Sequence, residues 1–366
     1  MNILVTGGSG FIGTNLIEML LGNSASDRDR QDWVNSLTTG DGRELENPCV
    51  INLEKLTYVS VDQSIQPRRD PERYRVVEAD LAEFPDLDQL VRELDPGLVF
   101  HLAAETHVDR SIRESGEFIR SNVSGTHRLL EAMQAYFESL DADRQARFRL
   151  IHVTTDEVFG SLQPGERRFD EQSPYRPNSP YSASKAASDH LVRAWNRTYG
   201  LPTITSHSSN NFGPFQFPEK LVPVVILKCL LGQPIPLYGS GTQVRDWMHV
   251  DDHCAALIRL ADRGRIGESY LVGAELEKTN LQLVNAICEI MDDLHPQPDG
   301  ASYRELISFV EDRPGHDFRY AVNPEKLQRD TGWRAGIGFE RGLKTTVEWY
   351  LQRQDWLLRH AGGAGE

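Results

Sequence analysis

The stretch Val5-Thr6-Gly7-Gly8-Ser9-Gly10-Phe11-Ile12-Gly13 narrows the choice of fold more than any other part of the chain. It follows the apolar run Ile3 to Val5 and opens a helical pattern. Gly7, Gly10 and Gly13 stand in a GxxGxxG spacing. Glycines there allow a tight turn from strand to helix and let backbone N–H groups approach a pyrophosphate, whose charge the helix N-terminus stabilises. A glycine motif alone is weak. Its place between a strand and a helix points to a dinucleotide site at the first turn of a doubly wound parallel α/β sheet.

The first half of the chain agrees with such a sheet. Cys49 to Leu53, Arg75 to Val77, Leu98 to His101 and Leu150 to Val153 read as further strands, with helical patterns such as Leu129 to Tyr136 between most of them. That alternation predicts a parallel sheet covered on both faces. Residues 22–48 break the rhythm. They are polar and charge-rich, with only isolated apolar residues such as Trp33, Val34 and Leu37, and read as a solvated surface insertion rather than a lid. After about residue 205, proline-rich turns (Pro214, Pro218, Pro223, Pro234, Pro236) punctuate short elements, as expected of a smaller α+β lobe. The expected organisation is a Rossmann domain over 1–205, to which a segment near 243–265 returns, and a second lobe over 206–360. Phe339 to Arg359 reads as one long helix with Leu343, Val347, Leu351, Trp356 and Leu357 as its buried stripe, and residues 361–366 as a frayed tail.

Composition removes several classes of function. A net charge of −15 over 366 residues supplies no basic field for nucleic acid. No apolar run approaches the ~20 residues of a membrane span. The opening residues lack a signal-peptide core. The four cysteines, Cys49, Cys229, Cys254 and Cys288, form no CxxC pair, so neither zinc nor a disulfide framework is expected. These features read as a cytoplasmic protein with reduced thiols and no metal.

Three further features carry chemistry. Glu54 ends the second strand, where an acid holds the adenosine ribose hydroxyls and disfavours a 2′-phosphate, so NAD is expected over NADP. It lies 41 residues after Gly13 instead of the usual ~20, and the insertion accounts for the excess. Lys55 beside it pulls the other way, and an exposed strand-end charge is the plain alternative. Asp80, Ala103 and Ala104 end other strands and suit either ligand approach or packing. In Tyr181-Ser182-Ala183-Ser184-Lys185, the tyrosine and lysine are four apart on a helix starting after Pro180, hence on one face. Lys185 is expected to lower the Tyr181 pKa and make the phenol a base, with Thr155 as a hydroxyl partner. That combination suits hydride transfer at a hydroxyl-bearing carbon. It leaves Asp156 and Glu157, adjacent at a strand end in "TTDEVFG", without a task. Two carboxylates in a closed site split their pKa values, one becoming a proton donor and the other a base; otherwise they solvate the strand end or cap a turn.

The chain resembles the dTDP-glucose 4,6-dehydratases, extended short-chain dehydrogenases of nucleotide-sugar metabolism. The resemblance runs over nearly the whole chain outside 22–48 and the tail. It is carried by "EKLTYV", "HLAAETHVDRSI", "TTDEVFGSL", "SPYSASKAASDHLVRAWNRTYGLP", "SNNFGPFQFPEKLVP", "PLYGSGTQVRDWMHVDDHC" and "DRPGHDFRYAVN". It implies that Tyr181 takes the O4 proton while the C4 hydride passes to NAD, that Glu157 removes the C5 proton, and that Asp156 protonates the departing C6 hydroxyl. Hydride return to C6, with a proton back to C5, then gives a 4-keto-6-deoxy sugar nucleotide. It further implies cofactor contacts from Phe11, Ile12, Glu54, Lys55, Thr57, Asp80, Leu81, Ala103, Ala104, Ser121 and Asn211. Sugar-nucleotide contacts are implied for Thr106, Thr155, Asn210, Lys220, Leu221, Pro236, Tyr238, Arg245, Asn280, Arg313 and His316, with Lys220, Arg245 and Arg313 suited to a diphosphate. A homodimer is also implied. The chain departs from the usual pattern with Glu54 for Asp, Thr106 for Ser, Ser121 for Thr, and Phe159 and Phe212 for Tyr. Three rivals share parts of this signature. A 4-epimerase has no use for Asp156 and Glu157. A GDP-mannose 4,6-dehydratase resembles "TSE" rather than "TDE" at this strand end. A non-catalytic NAD-binding regulator would lack the reactive side chains.

Overall fold

Seven strands build one sheet, and the way their residues alternate explains both covered faces. The computed structural model describes residues 1–22, 48–60 and 69–360. The strands are β1 (Asn2–Thr6), β2 (Cys49–Glu54), β3 (Tyr74–Glu78), β4 (Pro96–His101), β5 (Arg149–Thr155), β6 (Thr203–Ser208) and β10 (Ser269–Val272), in the order β10-β6-β5-β4-β1-β2-β3. Every pairing among them is parallel. In β1, Ile3 and Val5 join the core on one face with Leu16, Ile17 and Leu257, while Leu4 joins the other with Ile51, Leu129 and Met133. Burying one such side chain stabilises the fold by about 1.5–3 kcal/mol. The order reverses between β1 and β4, which leaves a crevice beyond their carboxyl ends.

Helix ends follow from local residues. Helix α1 (Phe11–Leu21) starts directly after Gly10. Helices α2 (Leu87–Leu94) and α3 (Thr126–Ser139) follow β3 and precede β5. Helix α4 (Pro180–Tyr199) begins with Ser179 and Ser182 in a reciprocal capping box and Pro180 in the first turn, and stops at Gly200 in the left-handed conformation. The sequence-based start after Pro180 is therefore late by one residue.

A second core lies under α5 (Leu221–Leu231), α7 (Asn280–Leu294) and α8 (Phe339–Leu351), built from Val225, Leu283, Ile287, Leu343 and Val347 among others. It also carries the sheets β11 (Glu277–Thr279)-β9 (Val244–His249)-β7 (Asn210–Phe212) and β12 (Ile307–Val310)-β8 (Ile235–Tyr238). Between them, α6 (Val250–Arg263) packs back on the main sheet through Cys254, Leu257 and Ile258. The single helix expected over Phe339 to Arg359 is two. After α8 the chain turns at Gln352-Arg353 and resumes at Gln354–Arg359. Arg353 sits over the Trp349 ring at 4.4 Å, and Trp356 folds back to stack on Tyr350 at 6.4 Å. Leu343, Val347, Trp356 and Leu357 are buried as expected; Leu351 is only partly so. Among the described residues no helix is long and apolar enough to cross a membrane, and no cluster of side chains could hold a metal. Most of the insertion, 23–47, and the tail lie outside the described residues.

Candidate active site

The glycine turn sits at the sheet's reversal point. Gly7 has φ of 71°, and a Cβ there would lie 2.7 Å from the Ala103 nitrogen at the end of β4. A Cβ on Gly13 would lie 2.3 Å from the Gly7 oxygen. A larger residue at Gly7 would force the ends of β1 and β4 apart, and one at Gly13 would push α1 off the glycine turn. Small Ala103 and Ala104 complete this thin wall.

From that wall extends a cleft of about 310 Å³. It is lined by Gly7, Gly10, Phe11, Ile12, Gly13, Glu54, Lys55, Thr57, Asp80, Leu81, Ala103, Ala104, Ser121 and Asn211, together with Thr155, Asp156, Glu157, Tyr181 and Lys185. These residues come from six strands and the turns that follow them, from α1 and α4, and, for Ser121, from the segment before α3, and the fold brings all of them together. Glu54 is buried, and its carboxylate accepts N–H groups of Ser9 at 3.1 Å and Lys55 at 3.0 Å. Burial raises its pKa against these hydrogen bonds. Asp80 accepts the Ala82 N–H and pairs with Arg120. Ser121 lies in a π-helical turn, Ile119–Gly125. In the same turn Asn122 hydrogen-bonds both backbone groups of Glu105 and the Ser184 hydroxyl, tying the β4 loop to α4.

The cleft fits a dinucleotide on its own evidence. Its lining includes Thr154 Oγ1, Asp156 Oδ2, Ser209 Oγ, Asn210 Oδ1 and Asn211 Oδ1, buried atoms without a partner among the described residues. Buried polar atoms cost stability unless something satisfies them, and these belong to residues gathered around one cleft beside a glycine turn.

Asp156 and Glu157 begin a short helical turn, Asp156–Phe159, after β5. The Thr155 hydroxyl accepts the Glu157 N–H at 3.3 Å and donates to Asp156 Oδ1 at 3.4 Å. Asp156 is 1% exposed. Burial pushes its pKa well above the carboxylate range, and Glu157 and Asp246 add to the effect. Burial raises Glu157 too, but Arg313, Arg245 and Lys220 pull it back. The two acids therefore differ: Asp156 is held further toward its protonated form, and Glu157 ionises more readily.

Tyr181 and Lys185 face the cleft one turn apart on α4, as their spacing requires. The electrostatics differ from expectation. Burial, then Glu157, raise the Tyr181 pKa well above its usual value, and only the Thr155 hydroxyl lowers it among the larger causes. Lys185 does not counter this, because its ammonium donates to the Val153 carbonyl at 2.9 Å and burial lowers its own pKa to about 8.

Of the residues implied for the sugar nucleotide, Thr106, Thr155, Asn210 and Lys220 line the same cleft. Leu221, Pro236, Tyr238, Arg245, Asn280, Arg313 and His316 lie beyond its lining. Leu221 begins α5 next to Lys220, and Lys220 donates to the Thr106 carbonyl at 2.9 Å. Pro236 and Tyr238 are on β8. Arg313 pairs with Asp109 at 3.0 Å, and the Tyr238 hydroxyl reaches the same carboxylate at 3.2 Å. Buried Arg245 donates to the Val244, Phe318 and Asp317 carbonyls. His316 meets Asp312 at 2.6 Å, and Asn280 opens α7 with its N–H on Gln243. The cleft also includes Tyr58, Glu105, His107, Phe217 and Glu219, for which no role was expected. They lie inside the motifs "EKLTYV", "HLAAETHVDRSI" and "SNNFGPFQFPEKLVP", but neither their type nor their spacing marked them out.

Comparison with known proteins bears on the family and the fold. A family model described as GDP-mannose 4,6 dehydratase matches residues 4–346. A dTDP-glucose 4,6-dehydratase of Neisseria gonorrhoeae is 47% identical over 355 residues, covering 96% of each chain. A crystal structure of the dTDP-glucose 4,6-dehydratase of Streptomyces venezuelae with NAD bound superposes with a TM-score of 0.81 at 36% identity, covering 97% of this chain and 98% of that one. A UDP-glucose 4-epimerase of Thermus thermophilus, also with NAD, shares the fold at a TM-score of 0.76 but 28% identity, covering 96% of this chain and 99% of that one. Near-full-length identity lies with the dTDP-glucose enzymes, and this chain belongs to the dTDP-glucose 4,6-dehydratase family.

Proposed function

We infer that the protein is an NAD-dependent dTDP-glucose 4,6-dehydratase, converting dTDP-glucose to dTDP-4-keto-6-deoxyglucose. The observation that carries the reading is one cleft holding a tyrosine-lysine pair and a split pair of carboxylates. Residues 1–205, with the return near 243–265, hold the cofactor in this reading, and 206–360 mainly hold the nucleotide sugar.

When bound, NAD supplies the hydride acceptor for C4, the donor for C6 and, when oxidised, a positively charged ring within the cleft. The rest falls to side chains. Tyr181 accepts the O4 proton, with the Thr155 hydroxyl supporting the phenolate. Lys185, with one donor held by Val153, keeps two more for the ribose and the phenol. The 4-ketone acidifies C5, and Glu157, facing three cations, removes that proton. Asp156, protonated by its buried setting, gives its proton to the C6 hydroxyl, which leaves as water. An epimerase needs the first of these steps and not the last two. Lys220, Arg245 and Arg313 are the cations nearest Glu157 for a diphosphate, and Arg313 reaches it by releasing Asp109. The enzyme works in the cytoplasm, as a homodimer, on this reading.

The test is to incubate purified protein, without added NAD, with dTDP-glucose, UDP-glucose and GDP-mannose in parallel. The alkali-induced absorbance of the 4-keto-6-deoxy product should appear with dTDP-glucose. Turnover of only another sugar nucleotide, or of none after NAD is supplied, would defeat the reading.

A further inference from the structure

Resting on the cleft as a dinucleotide site, we propose that Glu105 and Glu117 determine specificity for NAD over NADP by occupying Lys55, a task Glu54 cannot perform alone. A 2′-phosphate on the adenosine ribose needs cationic donors at the end of β2. Among the described residues two candidates stand there. Lys55 follows Glu54 directly and lines the same cleft, and Arg120 lies beside Asp80.

Both are already spent. A lysine ammonium has three donors. Those of Lys55 meet Glu105 Oε1 at 3.1 Å, Glu117 Oε1 at 3.1 Å and Ser121 Oγ at 2.8 Å. Burial works against this ammonium, yet the two glutamates outweigh it and hold the Lys55 pKa above its ordinary value. Arg120 meets Glu117 at 2.6 Å, Asp80 at 3.0 Å and Glu83 at 2.8 Å. Glu105 is 8% exposed and Lys55's side chain 23%, so water screens the Lys55–Glu105 pair less than a surface bridge. Five carboxylates, counting Glu54, thus surround two cations. Removing Glu54 leaves the surplus negative and frees no donor.

The consequence is non-additivity. Four proteins are compared: wild type, Glu54→Ser, Glu105→Gln with Glu117→Gln, and the triple variant. Each is exchanged against excess NAD or NADP, desalted, and its bound nucleotide quantified; thermal shifts with each dinucleotide give affinities. Wild type should hold NAD, and Glu54→Ser should improve relative NADP binding only slightly. The triple variant should improve it by about tenfold to a hundredfold, the worth of a freed charge-assisted contact. Adding Lys55→Gln should abolish that gain. NAD binding by each variant doubles as its folding control. If Glu54→Ser alone achieves the full gain, or if the triple variant binds NAD but gains nothing for NADP, the proposal is wrong. If wild type binds neither dinucleotide, the NAD reading falls and takes this proposal with it.

Discussion

Asp156 and Glu157 differ by one bond in the chain and by their surroundings in space. Burial raises both pKa values, but against it Asp156 has only Arg245 among cations and Glu157 has Arg313, Arg245 and Lys220. Replacing Glu157 by Gln keeps the shape and removes the base. The variant should still oxidise C4, so reduced-nicotinamide absorbance should persist after mixing with dTDP-glucose. Product release should fall by about 10²–10⁴-fold, the usual worth of a positioned base. Normal turnover by Glu157→Gln would remove the assigned role. At this scale residue types were legible: GxxGxxG, the acid pair and the tyrosine-lysine spacing all named side chains that meet in one cleft. Their states were not. Nothing local says that Lys185 turns to the Val153 carbonyl, because that bond joins residues 32 apart.

Elements add a constraint through buried histidines. On β5, His152 is fully buried and donates toward Asp189 on α4; on α6, His253 is fully buried with both ring nitrogens unpartnered among the described residues. Burial lowers their pKa values to about 4 and about 3. The unfolded chain protonates such groups near the ordinary value of about 6.5. Below that pH it takes up protons the folded chain refuses, so stability falls from about pH 6.5 down toward each folded pKa and is unaffected above. At about pH 5 each histidine should cost about 2 kcal/mol. Urea unfolding at neutral pH and at about pH 5 should show the loss, and His253→Leu should remove about 2 kcal/mol of it. An unchanged pH dependence in that variant would contradict the assignment. The strands β1 to β5 were legible from alternation and α4 from the start after Pro180, whereas β6 and β10 were not read. The break after α8 was not, because the helical period continues across it and only the docking of Trp356 on Tyr350 reveals the turn.

For the whole molecule, the alternation of strands and helices announced the sheet, and its reversal between β1 and β4 sets the cleft. The rim of the cleft was the illegible part. Lys220–Thr106, Tyr58–Glu219 and Arg313–Asp109 join positions 114, 161 and 204 apart, and such pairs follow only from how the later elements lie against the sheet. The central claim is that oxidation, elimination and reduction occur on one sugar in this one cleft. Its most direct test is to supply dTDP-glucose carrying deuterium at C4 and to locate the label in the product by NMR. The account predicts deuterium at C6 of the 4-keto-6-deoxy sugar. Deuterium returned to C4, or lost to solvent, would contradict it.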